Sequence, residues 1–543
     1  MKRNPIATYR SVLNRFVQLY KHVLGLIIGA FVVSVRNLSP IKRKGLRSAG
    51  RRVMAFFLKF TIKKELRNQP FEVQLRRRLE MLGPTYVKLG QIMAIREDIL
   101  PKNITGELKQ LLDHLPEVPF ESIRAIIERS LNNSLKNLFL YVDPQPIGSA
   151  SIGQIHHATT LDGIPVVLKV IKPGIRETIM SDLKLMQILG TFLEWIIPRF
   201  QPKVIIAEFS RYTEREIDLV YEADHAELFA ANFTNSPEIV FPKIYRQFST
   251  RDVLCMSFMN GIKPNDPEIL SLSAADQRQI IDIGTFSIIK MLFEDGFFHA
   301  DLHAGNLIIL PGPKIAFIDL GMVGRFDEKV MRIMLYYFYA LVNGDVERSA
   351  KHLLAMAKVG RGGDPEGFER SVTDLLRRFL LQAHHGNFSL AQLILESLRL
   401  SSRYRIFFPV EMTLMVKALV TFEGVGQFLS PNLDVPALSR KHIQRIYSQH
   451  FSFDNLYKHF MRGAPELLDF MVRLPKLASD SSRSLEDFLN DGNKQENPLS
   501  GLKSALIAGA CVVGMVISVV QDGHPALSVS LLIAAILFFI FGK

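Results

Sequence analysis

Apolar stretches interleaved with basic residues open the chain, the longest of them covering residues 23–33. At about a dozen residues this run falls short of the ~20 needed to span a bilayer. About twenty polar and basic residues precede it and no clean small-residue cleavage site follows, unlike a signal peptide. The pattern predicts an interfacial or core helix, with Arg47, Arg51, Arg52 and Lys59 on nearby helical turns facing lipid phosphates. From about residue 67 apolar positions recur at helical spacing, including residues 79–91, and Lys88 stands among the apolar Val87, Leu89, Ile92 and Met93. On pattern alone it is a lysine snorkelling from a packed helix. Residues 146–154 read as a loop of small side chains, and residues 166–171 as a strand centred on Lys169. An acidic helix is predicted over residues 214–224, then a strand running into a turn over residues 251–261. Beyond Gly321 the pattern is helical, with a break at residues 360–365 and apolar periodicity over residues 412–428. Residues 479–500 form a polar linker. Two uncharged apolar runs follow, residues 504–520 and 526–541, with Lys503 and Lys543 at the same end of the pair. That is the pattern of a transmembrane helical hairpin with both ends cytoplasmic. Small residues at Ala505, Gly509, Ala510, Gly514 and Ser518 suit close packing in lipid, and with it a homodimer.

Composition adds three constraints. A chain of 543 residues has room for two or three domains, and 48% hydrophobic residues with a slightly positive mean hydropathy suggest membrane contact added to a soluble body. The two cysteines, Cys255 and Cys511, are far apart, so neither a disulfide framework nor a cysteine metal site is implied. This fits a reducing compartment, where ATP is available. Residues 1–64 carry fifteen Lys or Arg and no Asp or Glu, against a total of +13, which leaves the rest at about −2. A basic arm on a near-neutral body favours an anionic membrane surface over nucleic acid.

The chemistry lies in residues 298–306, Phe-His-Ala-Asp-Leu-His-Ala-Gly-Asn. Asp301 and Asn306 have the D-x-x-x-x-N spacing of a phosphotransferase catalytic loop. There the aspartate takes a hydroxyl proton or orients the acceptor, and the asparagine holds a metal ion. An apolar run then ends in Asp319-Leu320-Gly321, the D-x-G form whose aspartate holds Mg²⁺ against ATP phosphates. Upstream, small side chains in residues 146–154 let backbone N–H groups approach phosphates, and Lys169 supplies charge to them. A lysine beside a nucleotide needs a carboxylate, for which Glu216 and Glu222 are the candidates. The turn after residue 257 is where a hinge between lobes should contact adenine.

Together these residues resemble the UbiB family of atypical kinases, also called the aarF-domain family, which serves coenzyme Q biosynthesis. Lys88, Gly90 and Gln91 match its K-x-G-Q motif, residues 148–154 its alanine-rich nucleotide loop, and Glu216 and Asp218 its E-x-D. Residues 299–306 and 319–321 match its catalytic and metal loops. The resemblance implies an α+β, atypical protein-kinase-like bilobal fold with an N-terminal helical extension and a C-terminal transmembrane helical hairpin. Its expected parts are a basic membrane-proximal arm (1–66), a helical extension with K-x-G-Q (67–145) and an N-lobe with a family insertion (146–260). A C-lobe (261–478), a linker (479–500) and the hairpin (501–543) complete it. It implies ATP contacts from Ile147, Gly148, Ser149, Ala150, Ser151, Ile152, Gly153, Gln154, Ile155 and Lys169, with Glu222 as the partner of Lys169. Asn306 and Asp319 would hold Mg²⁺ and Asp301 would be catalytic. The K-x-G-Q helix would fold over the cleft, Lys88 meeting the E-x-D acids and excluding protein substrates. Expected partners are anionic lipid, polyprenylated quinone precursors and other ubiquinone-biosynthesis proteins at a bacterial inner membrane, with no nucleic acid. Two other readings share these motifs: a kinase for a soluble small molecule, and a nucleotide-gated lipid-binding scaffold.

Overall fold

Helix α1 (Pro5–Arg36) joins the apolar run and its basic flanks into one 32-residue helix. A stripe containing Leu19, His22 and Val35 is buried, while Phe16, Val17, Tyr20, Leu24 and Ile27 are exposed. Gly25 and Gly29 lie so close to the body that a Cβ would run into Arg78 or Gln74. By length and composition Arg15–Arg36 could cross a membrane. Yet Arg15 pairs with Asp182 at 2.7 Å and Arg36 donates to the Asn68 carbonyl at 3.2 Å, so both ends of that segment are fastened to the body. Helix α2 (Leu46–Leu58) and the 3-10 turn Lys59–Thr61 then expose Val53, Met54, Phe56, Phe57 and Phe60. The structure, a computed structural model, describes residues 5–36, 46–96, 100–111, 117–150, 152–196, 201–383, 389–429 and 435–450. Ser151, the linker 479–500, the hairpin 501–543 and the Arg47 side chain lie outside what is described.

Helices α3 (Phe71–Leu82), α4 (Pro84–Ile95) and α5 (Lys102–Leu108) follow. Gly83, at φ 97°, ends α3, and Pro84 pre-sets the first turn of α4. Helix α6 (Phe120–Leu131) ends on Asn132 in the left-handed region and leads through α7 (Leu135–Leu138) into a sheet. Strands β1 (Phe139–Ser149), β2 (Gly153–Thr160) and β3 (Pro165–Ile171) form its first three members. After β3 come α8 (Ile175–Ile196) and α9 (Pro202–Glu216), packed on each other, then α10 (Leu219–Asn232), β4 (Ile239–Val240) and β5 (Val253–Ser257). The sheet order is β1-β2-β3-β5, all antiparallel, with Ile123, Ile126 and Ile127 of α6 packed over Val142, Leu168 and Val253.

Three expectations change. The first strand begins at Phe139, inside the predicted 67–145 extension, because Phe139 and Val142 point into the α6 core. The predicted loop 146–154 is a hairpin, with Gly148 paired to Ile155 and Ser149 to Gln154; backbone pairing needs no large side chains. The predicted acidic helix is two helices, broken at Ile217, with Asp218 capping the Val220 N–H of α10 at 3.2 Å.

Helix α11 (Ala274–Phe293), started by Ser273 capping Asp276 N, is buried over most of Ile280 to Phe293. Strand β6 (Phe297–His299) pairs with β9 (Val323–Arg325), and β7 (Leu307–Leu310) with β8 (Lys314–Phe317), which also runs parallel to β4. This interleaving brings the 300–306 and 318–322 loops out side by side. Helices α12 (Glu328–Val342), α13 (Val346–Ala355), α14 (Pro365–Ala383) and α15 (Leu390–Tyr404) follow, three of them started by the caps Asp327, Asp345 and Ser389. The break at 360–365 lies beside the pair β10 (Lys358–Val359) and β11 (Ile406–Phe407). Helix α16 (Val410–Leu429) then packs on the catalytic loop, and α17 (Val435–His450) lies against α11 and α12. Like α1, α16 is long and apolar enough to cross a membrane, but 56% of its apolar window is buried, as in a core helix.

Candidate active site

Strand β3 carries Lys169 in register with Ile155 on one side and Leu254 on the other, which fixes its backbone from both edges. Its ammonium donates to Glu222 Oε1 and Oε2, each at 2.8 Å, and to Asp319 Oδ1 at 2.8 Å. Glu222 reaches it from the first turn of α10, where the free N–H groups favour an acid. Asp319 reaches it from a left-handed residue, φ 55°, two positions beyond β8. Aspartate tolerates that region better than most side chains, and the turn swings its carboxylate toward Lys169.

One cation thus serves two carboxylates. Burial opposes ionisation at Asp319, but the Lys169 ammonium outweighs it and holds the carboxyl at about 2. The more enclosed Glu222 differs: burial, with Asp319 and Glu216 close by, pushes its carboxyl up to about 7 against the pull of Lys169. Lys169 itself, despite burial, is held above the ordinary lysine range by its two acids.

The catalytic loop is tied down beside this cluster. Buried His299 accepts the Asp301 N–H on Nδ1 at 3.1 Å, so Nε2 carries the proton and faces the Ile318 carbonyl at 3.4 Å. Burial lowers its basicity and keeps it neutral, as that hydrogen bonding requires. Asn306 donates from Nδ2 to the Asp301 carbonyl at 3.0 Å, and its own carbonyl accepts Ile318 N–H at 2.9 Å. Asn306, whose amide nitrogen is engaged, has a side-chain oxygen to offer, and Asp319 has a carboxylate. These hard oxygen donors suit Mg²⁺, which keeps waters and substrate phosphates as its other ligands. Among the described residues no group of three or more His, Cys, Asp or Glu side chains forms a metal cage. The donor set fits Mg²⁺ delivered with a nucleotide better than a resident transition metal.

The small-residue hairpin lies at the end of the same sheet. Its turn closes by Ala150 N–H to the Gly153 carbonyl at 2.9 Å, and Lys172 holds the Ala150 carbonyl at 2.6 Å. Ile147, Gly148, Ser149 and Ala150 are at least partly open, whereas Ile152 and Gly153 are buried. Ile155, partly buried, packs against the core. Gln154 departs from its expected role: it is fully buried, and its amide brackets the Val118 backbone, donating to its carbonyl at 3.3 Å. Strand alternation turns its side chain to the face opposite Ile155 and Lys169. Ser257 also faces structure, its Oγ accepting Lys243 N–H at 3.0 Å.

Helix α4 carries Lys88 to the cleft's edge, where it forms an ion pair with Glu216. A crevice between them is lined by Ile92, Tyr212, Gly321 and Met322, so the K-x-G-Q helix borders the D-x-G loop. On its other side Gly90 packs closely, and a Cβ there would run into the Leu111 and Leu79 side chains. Two expected contacts are redirected. Asp218 does not share Lys88: as the cap of α10 it points the other way, to Arg251 Nε at 2.7 Å. Gln91 donates to the Leu111 carbonyl at 3.4 Å rather than to the acids. Sequence reading also missed Arg96, which pairs with Glu208 at 2.8 Å and fixes α4 to α9 a second time. It missed Lys417 of α16, 2.7 Å from Asp301 Oδ1, although a lone lysine in an apolar helix was the very signal that singled out Lys88.

Residues 110–353 match the ABC1 atypical kinase-like domain, and residues 377–434 match the UbiB helical domain. The chain is 30% identical over 415 residues to the "Probable protein kinase UbiB" of Marinobacter nauticus, covering 75% of this chain and 76% of that one. The chain belongs to the UbiB family. The Xylella fastidiosa protein of the same description is 27% identical over 470 residues, 83% of this chain and 85% of its own. A solved Mycobacterium tuberculosis structure, described as a complex of Rv3197 with erythromycin, has a TM-score of 0.46 at 20% identity, covering 73% of this chain and 96% of that one. Membership makes the fold kinase-like, of mixed helices and strands, and the chain an atypical kinase by family. The α8–α9 pair fills the long interval between Lys169 and Glu222, and α16 falls within the UbiB helical domain.

Proposed function

We propose that this chain turns over Mg²⁺-ATP at a bacterial inner membrane in support of ubiquinone synthesis, acting on or moving lipid-embedded quinone precursors. The observation that carries this reading is the cluster in which Lys169 joins Glu222 and Asp319 beside the tied-down Asp301–Asn306 loop. When ATP enters, Lys169 turns its charge to the phosphates while Glu222 keeps it in place. Asn306 and Asp319 would hold Mg²⁺, which supplies charge to the β- and γ-phosphates. Asp301 orients the attacking hydroxyl, of water or of a phenol, and receives its proton; the leaving group is ADP.

The membrane part rests on the arm. Phe56, Phe57 and Phe60 are exposed beside Arg51 and Arg52, and Lys59 lies 4.2 Å from the centroid of the Phe56 ring. Aromatic rings below and cations above are what an anionic interface binds. With 501–543 as a second anchor, the active site would stay at the membrane, where polyprenylated phenols reside. Pairing of two such hairpins would give a homodimer, on which other ubiquinone-biosynthesis proteins could assemble. The test is Mg²⁺-dependent ATP hydrolysis by the full chain with and without anionic vesicles carrying a phenolic quinone-precursor mimic. Turnover raised by lipid and phenol supports the reading; phosphate transfer to a soluble metabolite, or binding without turnover, replaces it with one of the two other readings.

A further inference from the structure

The loop that carries Asp301 fixes only its backbone: His299 takes its N–H and Asn306 its carbonyl. The loop's own nearby cation candidate, His303, has Nε2 3.8 Å from Asp301 Oδ2, beyond hydrogen-bond reach. The carboxylate is gripped from elsewhere, by Lys417 Nζ at 2.7 Å from Oδ1. Lys417 stands on α16 between the buried Val416 and Ala418, so its ammonium leaves an apolar helix and ends on this acid. Both side chains are 24% exposed, which places the pair at the rim of the cleft rather than in free solvent. Three lysines from three elements thus serve the acids of the site: Lys169 of β3 holds Glu222 and Asp319, Lys88 of α4 holds Glu216, and Lys417 of α16 holds Asp301.

We propose that Lys417 is the positioning residue of Asp301, so that the helical domain aims the carboxylate that meets the phosphoryl acceptor. This rests on the proposed phosphoryl chemistry. An aspartate held at its backbone but free at χ1 spends most of its time off the line of attack, and misplacement of a reacting group costs rate far more than binding. Lys417 touches neither of the residues assigned to the metal nor the hairpin, so nucleotide affinity should not depend on it.

The test uses the full chain with Lys417→Met and Lys417→Arg. For Lys417→Met, kcat for ATP turnover should fall by roughly 10- to 100-fold while affinity for a fluorescent ATP analogue, and the fraction of protein binding it, stay within about two-fold. Lys417→Arg should recover most of the loss. A residue that only stabilised the fold would lower the competent fraction instead. A second readout needs no turnover: acylation of the Lys417 amine by an amine-reactive ester, read by mass spectrometry, should quicken several-fold in Asp301→Asn, where its carboxylate is gone. Unchanged kcat in Lys417→Met, or an acylation rate indifferent to Asp301→Asn, overturns the inference while leaving the proposed function standing. A wild-type chain that binds Mg²⁺-ATP without turning it over overturns the proposed function, and this inference with it.

Discussion

At the scale of single residues, the cluster around Lys169 sets the most specific expectations. Replacing Lys169 by Met leaves two neighbouring carboxylates without their cation. Loss of one member of a buried pair costs about 3–5 kcal/mol, and because Asp319 is 46% exposed the lower end is expected. Urea unfolding measures it. Glu222 has a separate signature: its folded value of about 7 lies above the ordinary 4.5, so its contribution to stability is present at low pH and lost as pH rises through about 7. Asp319, held at about 2, works in the opposite sense, its contribution being lost only as pH falls below the ordinary 3.8 toward 2. Between roughly pH 5 and pH 8, without metal or nucleotide, the wild type should therefore lose on the order of 1–2 kcal/mol relative to Glu222→Gln. Parallel stability curves for the two proteins would contradict the arrangement. These residues were legible because their chemistry is tied to fixed spacing: D-x-x-x-x-N, D-x-G and a strand lysine. The burial of the Gln154 side chain was not legible, because the same spacing says nothing about which face of a strand a side chain occupies.

At the scale of elements, two ion pairs hold α4 to α9, and Gly90 lets it pack closely on Leu79 of α3 and on Leu111. Gly90→Val should destabilise the chain by about 1–3 kcal/mol, the usual cost of overpacking, and should loosen α4 against Leu79 of α3 and Leu111; hydrogen exchange over residues 84–95 reads both. Arg96→Met should loosen α4 against α9 while leaving the Lys88 pair in place. The apolar-with-lysine pattern predicted α4 as a packed helix but could not show where its lysine ends. That depends on α9 and α10, separated from it by more than a hundred residues of chain and by a helix break at Ile217 that acidic composition conceals. The hairpin β1–β2 was hidden for a related reason. Gly148 and Ser149 have loop composition, and only pairing with β2 and the backing of β3 makes them strand.

For the whole molecule, the basic arm and the active site belong to one functional unit only if the arm meets lipid. Phe56→Ser, Phe57→Ser and Phe60→Ser together should weaken association with anionic vesicles in a chain lacking residues 501–543, and added salt should weaken it further. Binding of that chain indifferent to both changes would remove the arm from the membrane. The kinase-like mix of helices and strands was readable from motif order along the chain, whereas the docking of α1 along α3 was not, since Gly25 and Gly29 mark close approach only once Arg78 and Gln74 are opposite them. What joins the levels is the cleft, where β3, α10, α16 and the two loops after β6 and β8 converge. The most direct measurement is Mg²⁺-dependent ATP turnover by the purified full chain on anionic vesicles, run beside Asp319→Asn with the fold checked by circular dichroism. The convergence of Lys169, Asp301, Asn306 and Asp319 predicts turnover in the wild type that falls by about a thousand-fold or more in the variant, the scale on which a site-assembling charge acts. Equal turnover in both folded proteins would contradict it.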